Sequence, residues 1–160
     1  MYTGDGGGKT AAALGIAMRA LGHGMRVVLI QFMKGRPTGE AMLKLKNFEV
    51  YRFGRPEFVD PEEPGPEDFE EAERALKKAE EVLKTGPDIL ILDEVNVAVS
   101  FGLIPADRVV KLLERVPERT SVFLTGRYPP PELVRVSDFV TEITDLKRPE
   151  KPVFRKGIEY

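Results

Sequence analysis

A glycine-rich stretch at the start of the chain carries the residue types that bind phosphate. Residues 4–8 are Gly-Asp-Gly-Gly-Gly, and Lys9 and Thr10 follow immediately. Glycine has no Cβ, so backbone N–H groups in such a loop can approach an anion closely. Lys9 would add a positive charge, and the Thr10 hydroxyl could ligate a magnesium ion bound to the phosphates. The predicted phosphate-binding residues are therefore Gly4, Asp5, Gly6, Gly7, Gly8, Lys9 and Thr10.

The spacing of this loop departs from the usual pattern GxxxxGK(S/T). That pattern would require glycine at position 3, where this chain has Thr3, so the stretch from Gly4 to Gly8 is one residue tighter. A flexible glycine-rich segment that happens to precede a lysine is the alternative. The alanine-rich run after Thr10 predicts a helix, whose first N–H groups would point at the same anion. We therefore favour the phosphate loop.

Composition limits the other classes of function. The chain has 160 residues, with 24 basic and 26 acidic side chains, and no cysteine. Disulfides, thiolate metal sites and thiol catalysis are thereby excluded. The charge balance does not suggest a broad nucleic-acid or membrane surface, and no apolar run approaches the ~20 residues of a membrane span. We expect one cytoplasmic domain over residues 1–160, without nucleic-acid or membrane partners.

Strands and helices are predicted to alternate along the chain. We expect strands at residues 27–32, 48–53, 89–94, 121–124 and 138–142. The strands at 27–32, 89–94 and 121–124 are predicted to be buried. Helices are expected after Thr10, over 41–46, 69–83 and 105–116, and after Pro131. The predicted core faces are Leu14, Ala17, Met18 and Leu21 in the first helix, Phe69, Ala72, Leu76, Ala79 and Leu83 in the third, and Val109, Leu112 and Leu113 in the fourth. This alternation predicts a parallel sheet flanked by helices, with ligands at the carboxyl ends of its strands.

Two further features fall at that edge of the predicted sheet. Asp93 and Glu94 end an aliphatic strand, and their carboxylates would complete the oxygen shell of a magnesium ion facing Thr10. A solvated acidic turn is the alternative, which the presence of the loop makes less favourable. Arg127 follows another strand, where it could clamp phosphate or form a surface salt bridge; the sequence favours neither.

Other residues are harder to assign from the sequence. Arg19 lies two to three helical turns beyond Thr10, so a phosphate contact would need its full reach. His23 is expected to pack at or cap the helix end. Phe58 either anchors its own loop or covers a ligand. Only residues 1–3 precede the loop, so its launching strand is very short or the chain begins inside a longer one; we favour the second.

An ordered set of motifs makes the chain resemble a known family. The motifs are Tyr2-Thr3-Gly4-Asp5-Gly6, Gly8-Lys9-Thr10, residues 19–24, residues 31–35, Gly39-Glu40, residues 90–94, residues 124–127, Val140-Thr141-Glu142 and Gly157-Ile158-Glu159-Tyr160. In this order and over nearly the whole chain, they resemble the ATP:cob(I)alamin (corrinoid) adenosyltransferases of the P-loop class.

The resemblance implies an activity that a phosphate loop alone does not. In that family, cobalt(I) of a reduced corrinoid attacks the 5′-carbon of ATP, and triphosphate leaves as one unit. It implies that residues 4–10 hold the triphosphate, that Thr10, Glu94 and Asp93 hold Mg²⁺, and that Lys9 and Arg127 act in catalysis. Arg19 would contact phosphate and Phe58 the corrinoid. It further implies a three-layer, P-loop NTPase-like (RecA-like) α/β fold with a truncated first strand, a reductase that delivers cobalt(I), and a homodimer.

The chain also departs from the family pattern. Gly7 and Ala11 stand where many relatives have Lys and Thr, and residues 55–60 replace a loop that often reads Gly-Phe-Thr-Trp. Two alternative functions stay open, the second of them because of these departures. One is a small P-loop kinase or NTPase, and the other is a catalytically weak protein that binds ATP or corrinoid.

Overall fold

Strands and helices alternate along the part of the chain that the computed structural model describes, which is residues 1–151, 153 and 155–158. Glu159 and Tyr160 of the terminal motif lie outside this part. The strands are β1 (Tyr2–Thr3), β2 (Val27–Gln31), β3 (Phe48–Arg52), β4 (Ile89–Asp93), β5 (Ser121–Leu124) and β6 (Thr141–Glu142). The helices are α1 (Lys9–Gly22), α2 (Pro66–Lys84), α3 (Val95–Ser100), α4 (Ala106–Leu113) and α5 (Pro131–Val136), with a 3-10 helix at Glu40–Met42. None of the described helices is long and apolar enough to cross a membrane.

Every strand pairing within the described part of the chain is parallel. Four strands form a sheet in the order β3-β2-β4-β5, and β1 pairs with β6. A single parallel bridge between Tyr2 and Thr125 places β1 beside the end of β5. The glycine-rich loop after β1 therefore lies at the same edge as the carboxyl ends of β4 and β5. The predicted parallel α/β architecture is confirmed.

The sheet is the middle of three layers. In β2, Val28 and Ile30 face a cluster formed with α2, α3, α4 and α5, whereas Val27 and Leu29 face the alanines of α1. β4 alternates in the same way, and both strands are fully buried, as a two-sided parallel sheet requires. The layers hold the carboxyl ends of β2 and β4 in fixed positions.

The core face of α1 differs from the prediction. Ala13, Ala17 and Ala20 are buried, while Met18 is 55% exposed. These alanines follow Thr10 at spacings of 3, 4 and 3, so they share its side of the helix. Because that side carries Thr10 to the end of β4, the alanines face the sheet. Leu14 and Leu21 of the predicted face are half-buried against the same cluster.

Other local predictions also needed correction. Phe69 is exposed, although Ala72, Leu76, Ala79 and Leu83 of the same predicted stripe are buried. β5 is fully buried only at Leu124, because β1 reaches it only at its carboxyl end. The segment 41–46 contains only the end of a 3-10 helix. Helix α3 was not predicted, because its six residues are too few to show a helical period.

The irregular segment between β3 and α2 is tied to the helix by a buried aspartate. Asp68 accepts two hydrogen bonds from Arg55, at 2.8 and 2.9 Å, and one from the Gly65 N–H at 2.9 Å. The hydrogen bonds from Arg55 are the main cause that lowers the pKa of Asp68. This contact fixes the start of the segment that carries Phe58 against the first turn of α2.

Replacing Asp68 with Ala is expected to lower the free energy of unfolding by about 1–3 kcal/mol, since it removes a helix cap and leaves Arg55 with only its 4.0 Å ion pair to Glu67. A carboxyl with a lowered pKa stabilises the fold above its ordinary pKa and loses that contribution as the pH falls through the lowered value. The difference between wild type and Asp68→Ala in urea unfolding should therefore be full at pH 7 and shrink in acid.

Asp107→Ala is the matched control, because Asp107 also lies in a first helical turn but forms an exposed pair with Lys111. Its loss is expected to change the unfolding midpoint very little, because water and salt screen an exposed pair. Equal losses in the two variants would contradict the role given to Asp68.

Candidate functional site

The glycine-rich loop wraps around the ammonium group of Lys9. The Lys9 side chain is buried, and its Nζ donates to the Gly4 carbonyl at 2.8 Å and to the Gly6 carbonyl at 2.6 Å. Burial lowers the pKa of Lys9, with Arg127 adding to this and Glu94, Asp5 and Asp145 opposing it. The remaining N–H of the ammonium group is available to an anion on the loop.

The glycines of the loop have two different surroundings. A Cβ on Gly4 would lie 2.4 Å from the Ile143 carbonyl oxygen, and one on Gly6 would lie 2.8 Å from the same atom. At Gly7 and Gly8 a Cβ would meet nothing within 4 Å. Gly4 and Gly6 are therefore needed where the segment after β6 crosses the loop, whereas Gly7 and Gly8 have open space on the side where a Cβ would lie. Sequence reasoning had attributed all of these glycines to phosphate.

A hydrogen bond joins the loop to the end of β4. The Thr10 hydroxyl donates to Asp93 Oδ1 at 2.8 Å, and the Thr125 hydroxyl donates to the same oxygen at 2.6 Å. Asp93 is fully buried. The structure thus brings together Thr10 and Asp93, as expected for a shared magnesium site.

Lys34 is a site residue that received no role from the sequence. Its Nζ forms an ion pair with Asp93 Oδ2, and Gln31 Nε2 lies 3.5 Å from the same oxygen. Although burial acts to lower the pKa of Lys34, the Asp93 carboxylate outweighs it and the pKa is raised. Lys34 follows the buried strand β2, so the rule that led to Asp93 would also have found it.

Glu94 is held in an unusual backbone conformation beside Asp93. Its φ is 62°, in the left-handed region that non-glycine residues rarely adopt, and its N–H donates to the Thr125 hydroxyl at 3.0 Å. Burial, followed by the charge of Asp93, raises the pKa of Glu94, while Lys34, Lys9 and Arg127 oppose the rise. A strained carboxylate among cations is typical of a functional site.

The remaining candidates lie at different distances from the loop. Arg127 reaches it, since its Nη2 donates to the Asp5 carbonyl at 3.3 Å. Arg19 is exposed and lies about 13 Å along α1 from Thr10, at 1.5 Å per residue. His23 caps the end of α1 through its N–H, as expected. The phosphate role of Arg19 stays a prediction.

Phe58 belongs to a segment whose first residues lie beside the chain that follows β2. Its side chain is 93% exposed, so the prediction that it anchors its own loop is not supported. Arg36 Nε donates to the Pro56 carbonyl at 2.8 Å, which joins the segment of Phe58 to the one that follows Lys34. The ring is free to contact a ligand.

The donor set suits a magnesium ion that keeps water and phosphate ligands. Among the described residues, no three His, Cys, Asp or Glu side chains gather closely enough to hold a metal by themselves. Magnesium in nucleotide sites needs only one or two protein oxygens, because phosphates and water supply the others. The hydroxyl proton of Thr10 is committed to Asp93, so its oxygen lone pairs face outward and fit this chemistry.

Comparison with known proteins identifies the family. Residues 1–160 match the model of the ATP:corrinoid adenosyltransferase family BtuR/CobO/CobP. The chain belongs to this family. It is similar to a corrinoid adenosyltransferase of Sinorhizobium sp, with 37% identity covering 98% of this chain and 74% of that protein. It is also similar to corrinoid adenosyltransferases of Pseudomonas aeruginosa (35% identity; 100% of this chain, 82% of that protein) and Escherichia coli K12 (31%; 99% and 80%).

Membership confirms the resemblance, the enzyme class and the P-loop-type α/β fold. ATP and a corrinoid are the substrates that the family name gives. The roles of individual residues and the magnesium ion are not decided by membership.

Proposed function

We propose that this chain transfers the 5′-deoxyadenosyl group of ATP to cobalt(I) of a corrinoid and releases triphosphate. The cobalt–carbon bond forms as the C5′–O bond breaks, and the electron pair of that bond leaves with the triphosphate. The hydrogen bond from Thr10 to Asp93 carries the proposal, because it unites a phosphate loop with an acidic strand end in a member of this family.

The loop supports this reaction through the charge that develops on the leaving group. Lys9, the start of α1 and the half-buried Arg127 all lie at the loop, on one edge of the sheet. Donors fixed before the reaction stabilise developing negative charge without reorganising. The nucleophile belongs to the corrinoid, so the protein needs only to orient the two substrates and exclude water.

We include Mg²⁺ in the proposal, held by the Thr10 hydroxyl with the carboxylates of Asp93 and Glu94 beside it. Such an ion supplies positive charge to the triphosphate oxygens. Lys34 and Thr125 then orient Asp93.

A cavity next to Thr10 supports the placement of the adenosine. It measures about 450 Å³ and is lined by Thr10, Lys34, Glu40 and apolar residues of α1, among them Leu14 and Met18. Its mixed apolar and polar lining suits a nucleoside. We propose that the adenosine extends from the loop into this space and meets the corrinoid at its open side.

Phe58→Ala is expected to raise KM for the corrinoid about tenfold, because an exposed ring would contact a large apolar substrate. KM for ATP should stay within twofold, and unfolding stability should not change, since the ring is 93% exposed. Steady-state kinetics with each substrate varied in turn would measure this.

Phe139→Ala provides the matched control. Phe139 is also highly exposed, but it precedes β6 and so lies toward the amino ends of the strands, away from the site. Equal effects of the two variants on the corrinoid KM would argue against the role of Phe58.

The activity can be tested by incubating the protein anaerobically with ATP, Mg²⁺ and a chemically reduced corrinoid. The proposal expects an adenosylated corrinoid, detected by its absorbance and by loss of the signal on exposure to light. Absence of that product in the presence of folded protein would overturn it.

The proposal also covers the surroundings of the enzyme. Cobalt(I) is a reduced state and the chain has no cysteine that could carry electrons, so a separate reductase would supply it. A homodimer and a cytoplasmic location belong to the proposal as well.

A further inference from the structure

The segment after β6 lies directly across the phosphate loop. The Ile143 N–H donates to the Thr3 carbonyl at 2.8 Å, and the Gly6 N–H donates back to the Ile143 carbonyl at 2.9 Å. With Gly4 and Gly6 lacking the side chains that would collide with this backbone, the segment is seated closely. The position of the next residues is therefore set by the loop itself.

Asp145 is delivered by this segment to a donor of the loop. Its Oδ1 accepts a hydrogen bond from the Gly7 N–H at 3.1 Å. Asp145 is also among the charged groups whose field reaches Lys9. The Asp145 carboxylate thus occupies a backbone N–H donor to which a phosphate oxygen could otherwise bind.

We propose that Asp145 competes with the triphosphate end of ATP, occupying an anion position of the loop in the free protein. This inference rests on the proposed function, because it assumes that the loop binds triphosphate. Triphosphate carries several negative charges, and a carboxylate cannot stay at van der Waals distance from them without repulsion. Binding therefore requires the Asp145 side chain to leave Gly7.

The surroundings of Asp145 allow it to move. Its side chain is 35% exposed, and its other oxygen lies 3.9 Å from Arg148 Nε. The guanidinium can keep the carboxylate after it leaves the loop. When the product departs, Asp145 can return to Gly7, so the same residue that weakens binding also favours release of triphosphate.

Asp145→Asn tests the inference, because asparagine keeps the shape and an acceptor oxygen but removes the charge. Binding of inorganic triphosphate to the full chain with Mg²⁺ would be measured by calorimetry. We expect affinity to rise about threefold to tenfold, as for loss of a partly screened repulsion. The gain should shrink as salt is raised from about 20 mM to about 500 mM, where the Debye length falls to a few ångströms.

Glu150→Gln is the control, because Glu150 is an exposed acidic residue that also follows β6 and its replacement removes the same charge. If wild type binds no triphosphate, the proposed function itself fails. If wild type binds and Asp145→Asn matches Glu150→Gln or binds more weakly, Asp145 only supports the loop and the inference is wrong. Asp145→Ala should also bind triphosphate more tightly than wild type, and weaker binding in both Asp145 variants would likewise overturn it.

Discussion

Lys9→Ala is expected to lower kcat/KM for ATP by about a thousandfold or more, the scale seen when a preorganised charge on a leaving group is removed. Lys9 is the buried cation of the loop, and its ammonium lies within hydrogen-bond distance of two loop carbonyls. The same variant should lose measurable binding of inorganic triphosphate. Calorimetry and steady-state kinetics would measure the two effects.

A structural explanation of that loss has to be separated from a chemical one. Lys9→Ala also frees the carbonyls of Gly4 and Gly6, so urea unfolding should accompany the binding measurement. Lys111→Ala removes an exposed cation from α4 and should change neither activity nor triphosphate affinity. Unchanged triphosphate affinity in folded Lys9→Ala would remove the basis for the loop assignment.

Asp93→Asn is expected to impair both turnover and stability. The fully buried carboxylate accepts hydrogen bonds from Thr10 and Thr125 and pairs with Lys34. An amide in its place removes the ion-pair partner of Lys34, although the charges of Glu94 and Glu40 remain nearby, and costs about 2–4 kcal/mol of unfolding free energy. We expect kcat to fall at least about a hundredfold, since the proposed metal shell loses its carboxylate.

The double variant Lys34→Met, Asp93→Asn separates these two effects. Removing both members of a buried pair is far less costly than removing one. Denaturant unfolding should therefore show stability largely recovered relative to Asp93→Asn, while kcat stays low. Recovery of kcat together with stability would mean that Asp93 acts only as a structural partner.

The fold was largely predictable because apolar residues are spaced differently in its strands and in its helices. The uninterrupted runs in β2 and β4 indicated strands buried on both faces, and the spacing from Ala72 to Leu83 indicated an amphipathic helix. In α1 the same approach found Ala17 but missed Ala13 and Ala20 and wrongly included Met18. There the orientation is set by the contact of Thr10 with Asp93, a tertiary constraint that hydrophobic spacing does not contain.

The site was predictable where a residue follows a strand of a parallel sheet. Thr10, Asp93, Glu94 and Arg127 do lie at one edge, and Lys34 could have been included by the same rule. Asp145 could not, because its contact depends on the way the segment after β6 crosses the loop. The need for glycine at positions 4 and 6 was likewise hidden, since their close neighbours are more than 130 residues away along the chain.

The most direct test of the account is the identity of the phosphate product. After anaerobic turnover with ATP and a reduced corrinoid, phosphorus NMR should show inorganic triphosphate in a one-to-one ratio with the adenosylated corrinoid. That result is expected only if the loop holds the whole triphosphate as a leaving group. Formation of ADP and orthophosphate in its place would show that the loop serves phosphoryl transfer, and would contradict the account.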